Sequence, residues 1–439
     1  MGFVNSISLI GGWFPTVVWI VASIGMLFLL LPRRQSKWLL RIVLLAVAAV
    51  LATLIVHWLL VWVFYVLPEP MPGSVIAWGC VGAFAVFLGI FGMRGIGAWR
   101  RLATPLAMVA VVLLSAVQIN AYFGQYVNIG SFYDADTSGL PTLGRNDLRT
   151  PQELAHETGS KLPAIQGWTA PRDMPKSGKL FENGIPGTAS GFSARNAVIY
   201  LPPAYLVAKR PQLPVLVMVA GQPGSPQRWV DSGNLEHIMN KFARSHQGLA
   251  PVVVVVDPNG SQDGNTMCMD SQIANAGTYL SVDVPKWIKT NLDVQTDTSR
   301  WAFGGFSFGG TCAIQLGTEQ PAIYPNILDL SGQLEPALTA NRNVTIQHSF
   351  GGNTAAFDAK TPLALLSRNK YHHSFAYLSV GADDHHYGPE MSTLSAAAKA
   401  AGMTVVDATV AGMGHSWKAA KVGLADGLDV LAKRMGLSR

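Results

Sequence analysis

Apolar residues are concentrated in the first 123 residues, in four long stretches separated by short polar segments. The stretches run from about Trp13 to Leu31, Trp38 to Leu67, Val75 to Met93 and Leu102 to Phe123. A helix that crosses the roughly 30 Å hydrocarbon core of a bilayer needs about 20 apolar residues. The pattern therefore predicts a transmembrane domain of four helices over residues 1–123.

The cations beside these stretches predict their orientation. They lie between the first and second stretches and between the third and fourth, at Arg33, Arg34, Lys37, Arg94, Arg100 and Arg101. Residues 1–8 and 68–74 contain no Lys or Arg. Because positively charged loops stay in the cytoplasm, we expect a multi-pass plasma-membrane protein whose C-terminal domain faces the periplasm or the cell exterior.

After residue 123 the pattern changes twice. Residues 124–178 are polar and rich in Gly, Pro, Asp and Thr, which predicts a linker. From residue 179 to 439, short apolar runs alternate with helical patterns, and runs such as 252–256, all valine, are typical of strands buried on both faces. This alternation predicts a doubly wound α/β domain with a mostly parallel sheet, whose ligands bind at the carboxyl ends of the strands.

The predicted strands and helices of this domain have the following approximate limits. Strands are expected at 196–201, 214–219, 251–256, 301–306, 327–330, 375–380 and 404–409. Helices are expected at 228–243, 282–291, 309–319, 389–401 and 416–435.

Composition supports the division into a membrane part and a soluble part. Only 13% of the 439 residues are charged, whereas a soluble domain usually has about 25%. The net charge is +6, but much of the positive charge lies in loops beside the apolar stretches. Membrane topology therefore explains it better than nucleic-acid binding does, and we expect no nucleic-acid partner.

The candidate chemistry centres on Ser307. Residues 304–310 read GGFSFGG, between a predicted strand and a predicted helix. The spacing Gly305-x-Ser307-x-Gly309 is that of a nucleophile elbow, in which a sharp turn lifts a serine hydroxyl out of the sheet. The Gly-x-Ser-x-Gly pattern alone also occurs in ordinary glycine-rich turns. Its position between a predicted strand and a predicted helix is what favours a nucleophile elbow here.

A serine nucleophile needs a base in hydrogen-bonding reach. His415 follows the last predicted strand and precedes the last helix, which fits the chain order serine, acid, histidine of α/β-hydrolases. His385 and His386 are the rival candidates. Two adjacent histidines without further ligands at suitable spacing are a weak metal signal, and we expect neither metal nor cofactor.

The acid of the triad should follow the strand at 375–380. Asp384 is favoured there, Asp383 is the alternative, and Glu390 is a more distant third candidate. The oxyanion needs two backbone donors. The amide of Phe308 is one candidate, and the amide of Gln222 is the other.

The cysteines bear on the cellular location. Cys80 lies in an apolar stretch, as a small buried residue would. Cys268 and Cys312 lie in the soluble part and could form a disulfide if that part is outside the cytoplasm. Two free thiols are the alternative. No Cys-x-x-Cys or Cys/His cluster indicates a metal site.

Several segments together resemble the esterase D superfamily, and within it the mycolyltransferase-like branch of actinobacteria. They are residues 194–205, the loop from Gly221 to Trp229, residues 278–288, the elbow at Ser307 and residues 414–417. The resemblance implies an α/β-hydrolase fold, no cofactor and a Ser-acid-His mechanism through an acyl-enzyme. Two positions depart from the family: Ala220 replaces its usual histidine before the glycine, and an Asp replaces the Glu of mycolyltransferases.

The sequence therefore predicts a membrane-anchored, extracytoplasmic serine esterase or acyltransferase. Its substrate is expected to be an acyl ester, linked to a lipid, a glycolipid or the cell envelope, with hydrolysis slightly favoured over transfer. The alternative is a hydrolase-fold scaffold or binding protein that has lost its activity.

Overall fold

The structure is a computed structural model of the 439-residue chain, and it describes residues 4, 6–31, 37–64, 67, 70–93, 97–133, 139–144, 147–148 and 163–439. The chain divides into two compact units. One comprises Met1–Tyr133 and Thr339–Arg342, and the other comprises Asp134–Leu338 and Asn343–Arg439. Arg33, Arg34, Arg94 and much of the predicted linker lie outside the described residues.

Among its described residues, the first unit contains four helices that are long and apolar enough to cross a membrane. They are α1 (Trp13–Leu30), α2 (Trp38–Trp58), α3 (Gly73–Gly92) and α4 (Ala98–Phe123), and they are followed by the short α5 (Gly130–Tyr133). One π-helical turn, Leu59–Val63, continues α2.

Small residues bring these helices close together. A Cβ atom added to Gly25 of α1 would lie 3.2 Å from the backbone of Ala107 in α4, and one added to Gly82 of α3 would lie 3.2 Å from the hydroxyl of Ser115 in α4. Close approach of helices at small residues is common in membrane proteins. Large apolar side chains such as Leu39 remain exposed on the outer faces.

The second unit is built on eight strands. They are β1 (Lys179–Asn183), β2 (Ala197–Leu201), β3 (Val215–Val219), β4 (Val252–Val255), β5 (Ala302–Phe306), β6 (Asn326–Leu330), β7 (Phe375–Gly381) and β8 (Thr404–Val410). They form one sheet in the order β1-β2-β4-β3-β5-β6-β7-β8. The pairs β1–β2 and β2–β4 are antiparallel and all the others are parallel. The prediction of a mostly parallel α/β-hydrolase sheet is confirmed.

Helices connect the strands of this sheet. They are α6 (Gln227–Asp231), α7 (Leu235–Ser245), α8 (Ala276–Thr278), α9 (Val284–Asn291), α10 (Phe308–Glu319), α11 (Arg342–Phe350), α12 (Thr354–Asp358), α13 (Pro362–Arg368), α14 (Tyr387–Ala400) and α15 (Trp417–Leu431). A π-helical turn, Tyr279–Asp283, joins α8 to α9. Two 3₁₀ turns, Pro203–Leu206 and Thr298–Arg300, complete the elements.

The structure differs from the sequence-based expectation in three respects. The helix predicted over 228–243 is two helices, because Asn234 adopts a left-handed conformation with φ 53° and breaks it. Strand β1 was not predicted, because it lies in a segment without a long apolar run. Helices α11–α13 were not predicted, since short helices of mixed composition lack a clear period of 3.6 residues.

The core of the second unit lies on both faces of the sheet. Strands β2 to β6 are buried at every residue. Helix α10 is also buried along most of its length, including Cys312 and Leu316. This continuous burial explains the uninterrupted apolar runs of the sequence, and it fixes the carboxyl ends of β3 to β6 as one rigid edge.

Candidate active site

The serine elbow joins β5 to α10 with a single residue between them. Ser307 has φ 56° and ψ −118°, an unfavourable conformation for a residue with a side chain. A Cβ atom added to Gly305 would lie 2.4 Å from the carbonyl group of Gly309, and one added to Gly309 would lie 2.1 Å from the carbonyl oxygen of Val219. Both glycines are therefore required by the close approach of the backbone.

The structure brings Ser307, His415 and Asp384 together. The Oγ atom of Ser307 lies 2.8 Å from Nε2 of His415, and Nδ1 of His415 lies 3.0 Å from Oδ2 of Asp384. The three residues follow β5, β8 and β7, whose carboxyl ends meet at one edge of the sheet. Since a carboxylate only accepts hydrogen bonds, Nδ1 carries the proton and Nε2 is left to accept from the serine hydroxyl.

The environment of His415 is apolar and largely buried. Its ring stacks on Phe306, with centroids 5.0 Å apart, and lies against Tyr387, with centroids 4.4 Å apart. The side chains of His415 and Asp384 are only 11% and 3% exposed. The second carboxylate oxygen of Asp384 accepts a hydrogen bond from the Tyr387 N–H, 3.1 Å away. Exclusion of water strengthens each of these polar contacts.

The rival residues make other contacts. Asp383 is exposed, and its N–H donates to the carbonyl oxygen of Met413. The carboxylate of Glu390 accepts a hydrogen bond from the Leu334 N–H at 2.7 Å. His385 and His386 are both exposed, and His386 meets Tyr387 edge to face.

The two predicted oxyanion donors lie beside the elbow. The amide of Phe308 belongs to the first residue of α10, where free N–H groups favour negative charge. A Cβ atom added to Gly221 would lie 3.5 Å from the Cβ atom of Ser307, so the chain that leads into Gln222 passes directly by the serine. The side chain of Gln222 donates to the carbonyl oxygen of Gly264 at 2.7 Å.

Cys268 and Cys312 are joined by a disulfide, with their Cα atoms 5.5 Å apart. Cys312 lies in α10, and Cys268 lies in the loop that follows β4. The bond therefore fixes that loop to the helix that begins at the serine. Cys80 in α3 is a free thiol. Within the described ranges, no group of three or more His, Cys, Asp or Glu side chains could hold a metal ion.

Asp329 is a buried acid that the sequence analysis missed. It lies in β6, is fully buried, and accepts a hydrogen bond from the Gly332 N–H at 2.8 Å. A Cβ atom added to Gly310 of α10 would lie 2.4 Å from its Oδ1 atom. Burial raises the pKa of Asp329 from 3.8 to about 7, although the Gly332 hydrogen bond opposes the rise. An acid inside an apolar run, Asn-Ile-Leu-Asp-Leu, is the sequence signal for such a group.

We predict that Asp329 makes the fold less stable as the pH rises from about 4 to about 7. In this interval the folded chain retains a proton that the unfolded chain has already released, so stability is highest below the unfolded pKa and declines up to the folded one. Asp329→Asn keeps an acceptor for Gly332 without titrating. Relative to this variant, the wild-type melting temperature in detergent should decrease by a few degrees over this interval, and a difference that does not change with pH would contradict the prediction.

Comparison with known proteins gives a consistent result. The family model described as "Putative esterase" matches residues 192–421, which include the serine, the histidine and the aspartate. An uncharacterised protein of Corynebacterium glutamicum is 36% identical over 381 residues, 84% of this chain and 84% of that protein. This match is longer than residues 179–439, so it extends into the N-terminal part.

Solved structures also match part of the chain. A ferulic acid esterase is 16% identical with a TM-score of 0.51, and the match covers 60% of this chain and 100% of that one. At this identity the likeness shows the fold alone. An S-formylglutathione hydrolase from Agrobacterium tumefaciens is also 16% identical, with a TM-score of 0.48 and coverage of 60% and 98%.

Proposed function

This chain belongs to the esterase family and is a carboxylic-ester hydrolase or acyltransferase, and we propose that Ser307, His415 and Asp384 are its catalytic triad. The observation that carries the proposal is the continuous chain of two hydrogen bonds, 2.8 Å and 3.0 Å long, from the serine hydroxyl through the imidazole to the carboxylate. Such an arrangement matches the geometry that activates a serine in hydrolases.

The reaction follows from this geometry. The Oγ atom of Ser307 attacks the carbonyl carbon of an acyl ester while Nε2 of His415 takes the hydroxyl proton. Asp384 stabilises the resulting imidazolium, and the amides of Phe308 and Gln222 donate to the oxyanion of the tetrahedral intermediate. Collapse of the intermediate breaks the ester C–O bond, the leaving alcohol takes the proton from His415, and an acyl-enzyme remains.

The second half-reaction reverses these roles. His415 takes a proton from water or from an acceptor hydroxyl, whose oxygen attacks the acyl carbon. The intermediate then collapses, and His415 returns the proton to the Oγ atom of Ser307. Water as the acceptor gives hydrolysis, and an alcohol gives transfer.

The first unit serves, in this proposal, as a multi-pass membrane anchor. Four long apolar helices with exposed leucine and valine side chains support it. The basic loops support an outward-facing second unit. So does the disulfide between Cys268 and Cys312, because cytoplasmic thiols are kept reduced.

The substrate, in this proposal, is an acyl ester of a lipid, a glycolipid or the cell envelope. A hydrolase domain tethered to the outer surface of a membrane meets such esters at high local concentration. The sequence segments that resemble the mycolyltransferase-like branch support the same substrate class. An inactive scaffold is the less supported alternative, because the serine, histidine and aspartate are all present and in contact.

We predict that a fluorophosphonate probe labels the wild-type protein and does not label Ser307→Ala.

In Asp384→Asn the imidazole loses the partner that fixes its tautomer, so turnover of a p-nitrophenyl ester should decrease by about 10³–10⁴-fold. The neighbouring Asp383→Asn is the matched control, and it should retain turnover within about twofold because its side chain is exposed. No labelling of folded wild-type protein would favour the inactive scaffold, and loss of turnover in Asp383→Asn alone would reassign the acid.

Product analysis separates hydrolysis from transfer. With a p-nitrophenyl acyl ester and added trehalose, we expect the free acid as the main product, because water reaches the partly exposed Ser307. The acid and any acylated sugar are measured by mass spectrometry. Acyl-trehalose as the main product, absent with Ser307→Ala, would instead identify the protein as an acyltransferase.

Reporter fusions test the topology. Alkaline phosphatase is active only outside the cytoplasm, where its disulfides form, so a fusion after Arg439 should be active in intact cells. A fusion after Gly97, between α3 and α4, is the control and should be inactive. Fluorescent-protein fusions at the same positions should give the opposite pattern, and activity of phosphatase at Gly97 but not at Arg439 would reverse the proposed orientation.

A further inference from the structure

A largely buried ion pair lies close to the candidate oxyanion donor. Arg195 precedes β2, and Asp257 follows β4. Nε of Arg195 lies 2.9 Å from Oδ2 of Asp257, and Nη2 lies 3.0 Å from Oδ1, with the two side chains only 13% and 2% exposed. Asp257 also accepts hydrogen bonds from the N–H groups of Arg195, Asn259 and Gly260. The carboxylate is thus well supplied with donors, which holds the guanidinium in one orientation.

The same guanidinium joins two loops at the carboxyl edge of the sheet. We call residues 221–225, after β3, the oxyanion loop, and residues 257–264, after β4, the support loop. Nη2 of Arg195 donates to the carbonyl oxygen of Gly224 at 2.8 Å and to that of Ser261 at 2.9 Å. Gly224 also donates its N–H to the carbonyl oxygen of Gln262 at 3.1 Å. Gly224 is therefore held through both its N–H and its C=O group.

Gln222 provides a second connection between the two loops. Its Nε2 atom donates to the carbonyl oxygen of Gly264 at 2.7 Å. The oxyanion loop is thus attached to the support loop on both sides of Pro223. Its other end approaches the nucleophile at Gly221, where an added Cβ atom would lie 3.5 Å from Cβ of Ser307.

An oxyanion donor acts only when its N–H lies at about 2.7–3.1 Å from the developing charge. Displacement by about 1 Å can reduce the rate by about 10²-fold. The contacts that fix the oxyanion loop should therefore control the rate of the chemical step more than the binding of substrate.

We propose that Arg195, held by Asp257, is a positioning residue for catalysis, which fixes the oxyanion loop so that the amide of Gln222 points at the oxyanion formed on the substrate of Ser307. Arg195 does not touch the reacting atoms and acts through Gly224 and the support loop. This inference rests on the proposed function, since it concerns the same serine site.

Arg195→Lys in the full-length protein tests the proposal. Lysine keeps the positive charge beside Asp257, but it lacks the planar fork that serves the carboxylate and two carbonyl groups at once. We expect kcat for a p-nitrophenyl ester to decrease by about 10–100-fold, with KM changed by less than about threefold. Fluorophosphonate should still label Ser307, at a correspondingly lower rate.

Arg434→Lys is the matched control. Like Arg195, Arg434 donates hydrogen bonds to oxygen atoms. The acceptors are Oδ1 of Asn326 and the carbonyl oxygen of His373, both at 2.9 Å. These contacts lie at the amino end of β6 and β7, away from the serine. Arg434→Lys should lower the melting temperature about as much as Arg195→Lys does, and it should leave kcat unchanged. Gln222→Ala, which keeps the backbone amide but loses the contact with Gly264, should lower kcat in the same way as Arg195→Lys.

The outcomes are distinct. Wild-type kcat in folded Arg195→Lys, or an equal decrease of kcat in Arg434→Lys, would overturn the positioning role while leaving the triad intact. If Arg195→Lys does not fold, unchanged kcat in Gln222→Ala overturns it. A wild-type protein that fluorophosphonate does not label at Ser307 would instead overturn the proposed function and this inference with it.

Discussion

The close approach of three backbone segments at the serine elbow sets the geometry of the site. The chain leaves β5, turns at Ser307 and enters α10 with so little space that Gly305 and Gly309 have no room for a Cβ atom. Ser307 has a positive φ, a conformation that costs on the order of 1–3 kcal/mol. Its N–H donates to the carbonyl oxygen of Leu330 in β6, and the burial of α10 against the sheet holds the turn in place.

This constraint explains why distant parts of the sequence meet at one place. The turn raises the serine hydroxyl above the edge of the sheet formed by the carboxyl ends of the strands. The loops after β3, β4, β7 and β8 begin at the same edge. The loops after β7 and β8 bring the aspartate and the histidine. The loop after β3 passes Ser307 at Gly221, and Arg195 joins it to the loop after β4. The disulfide between Cys268 and Cys312 then links the chain that follows β4 to α10. The sheet thus works as a rigid frame, and the variable chemistry lies in the loops.

The sequence predicted those features that depend on local patterns and chain order. Runs of apolar residues located β2 to β7, because these strands are buried on both faces or nearly so. The edge strand β8 was also located, although only its last residue, Val410, is buried. Glycine spacing and post-strand position drew attention to Ser307 and His415. The sequence could favour Asp384 over Asp383 without excluding either, since one residue in a turn changes which side chain points inward. The pairing of Arg195 with Asp257 joins residues from different loops, and no local pattern encodes such a contact.

Trapping the covalent acyl-enzyme at Ser307 is the decisive experiment. The full-length protein is mixed with a p-nitrophenyl acyl ester, quenched with acid during turnover and digested, and its peptides are analysed by mass spectrometry. We expect an added acyl mass on the peptide that contains Ser307, located on that residue by fragmentation and absent from Ser307→Ala. Turnover with the acyl group on a different residue, or on none under conditions where deacylation limits the rate, would contradict it.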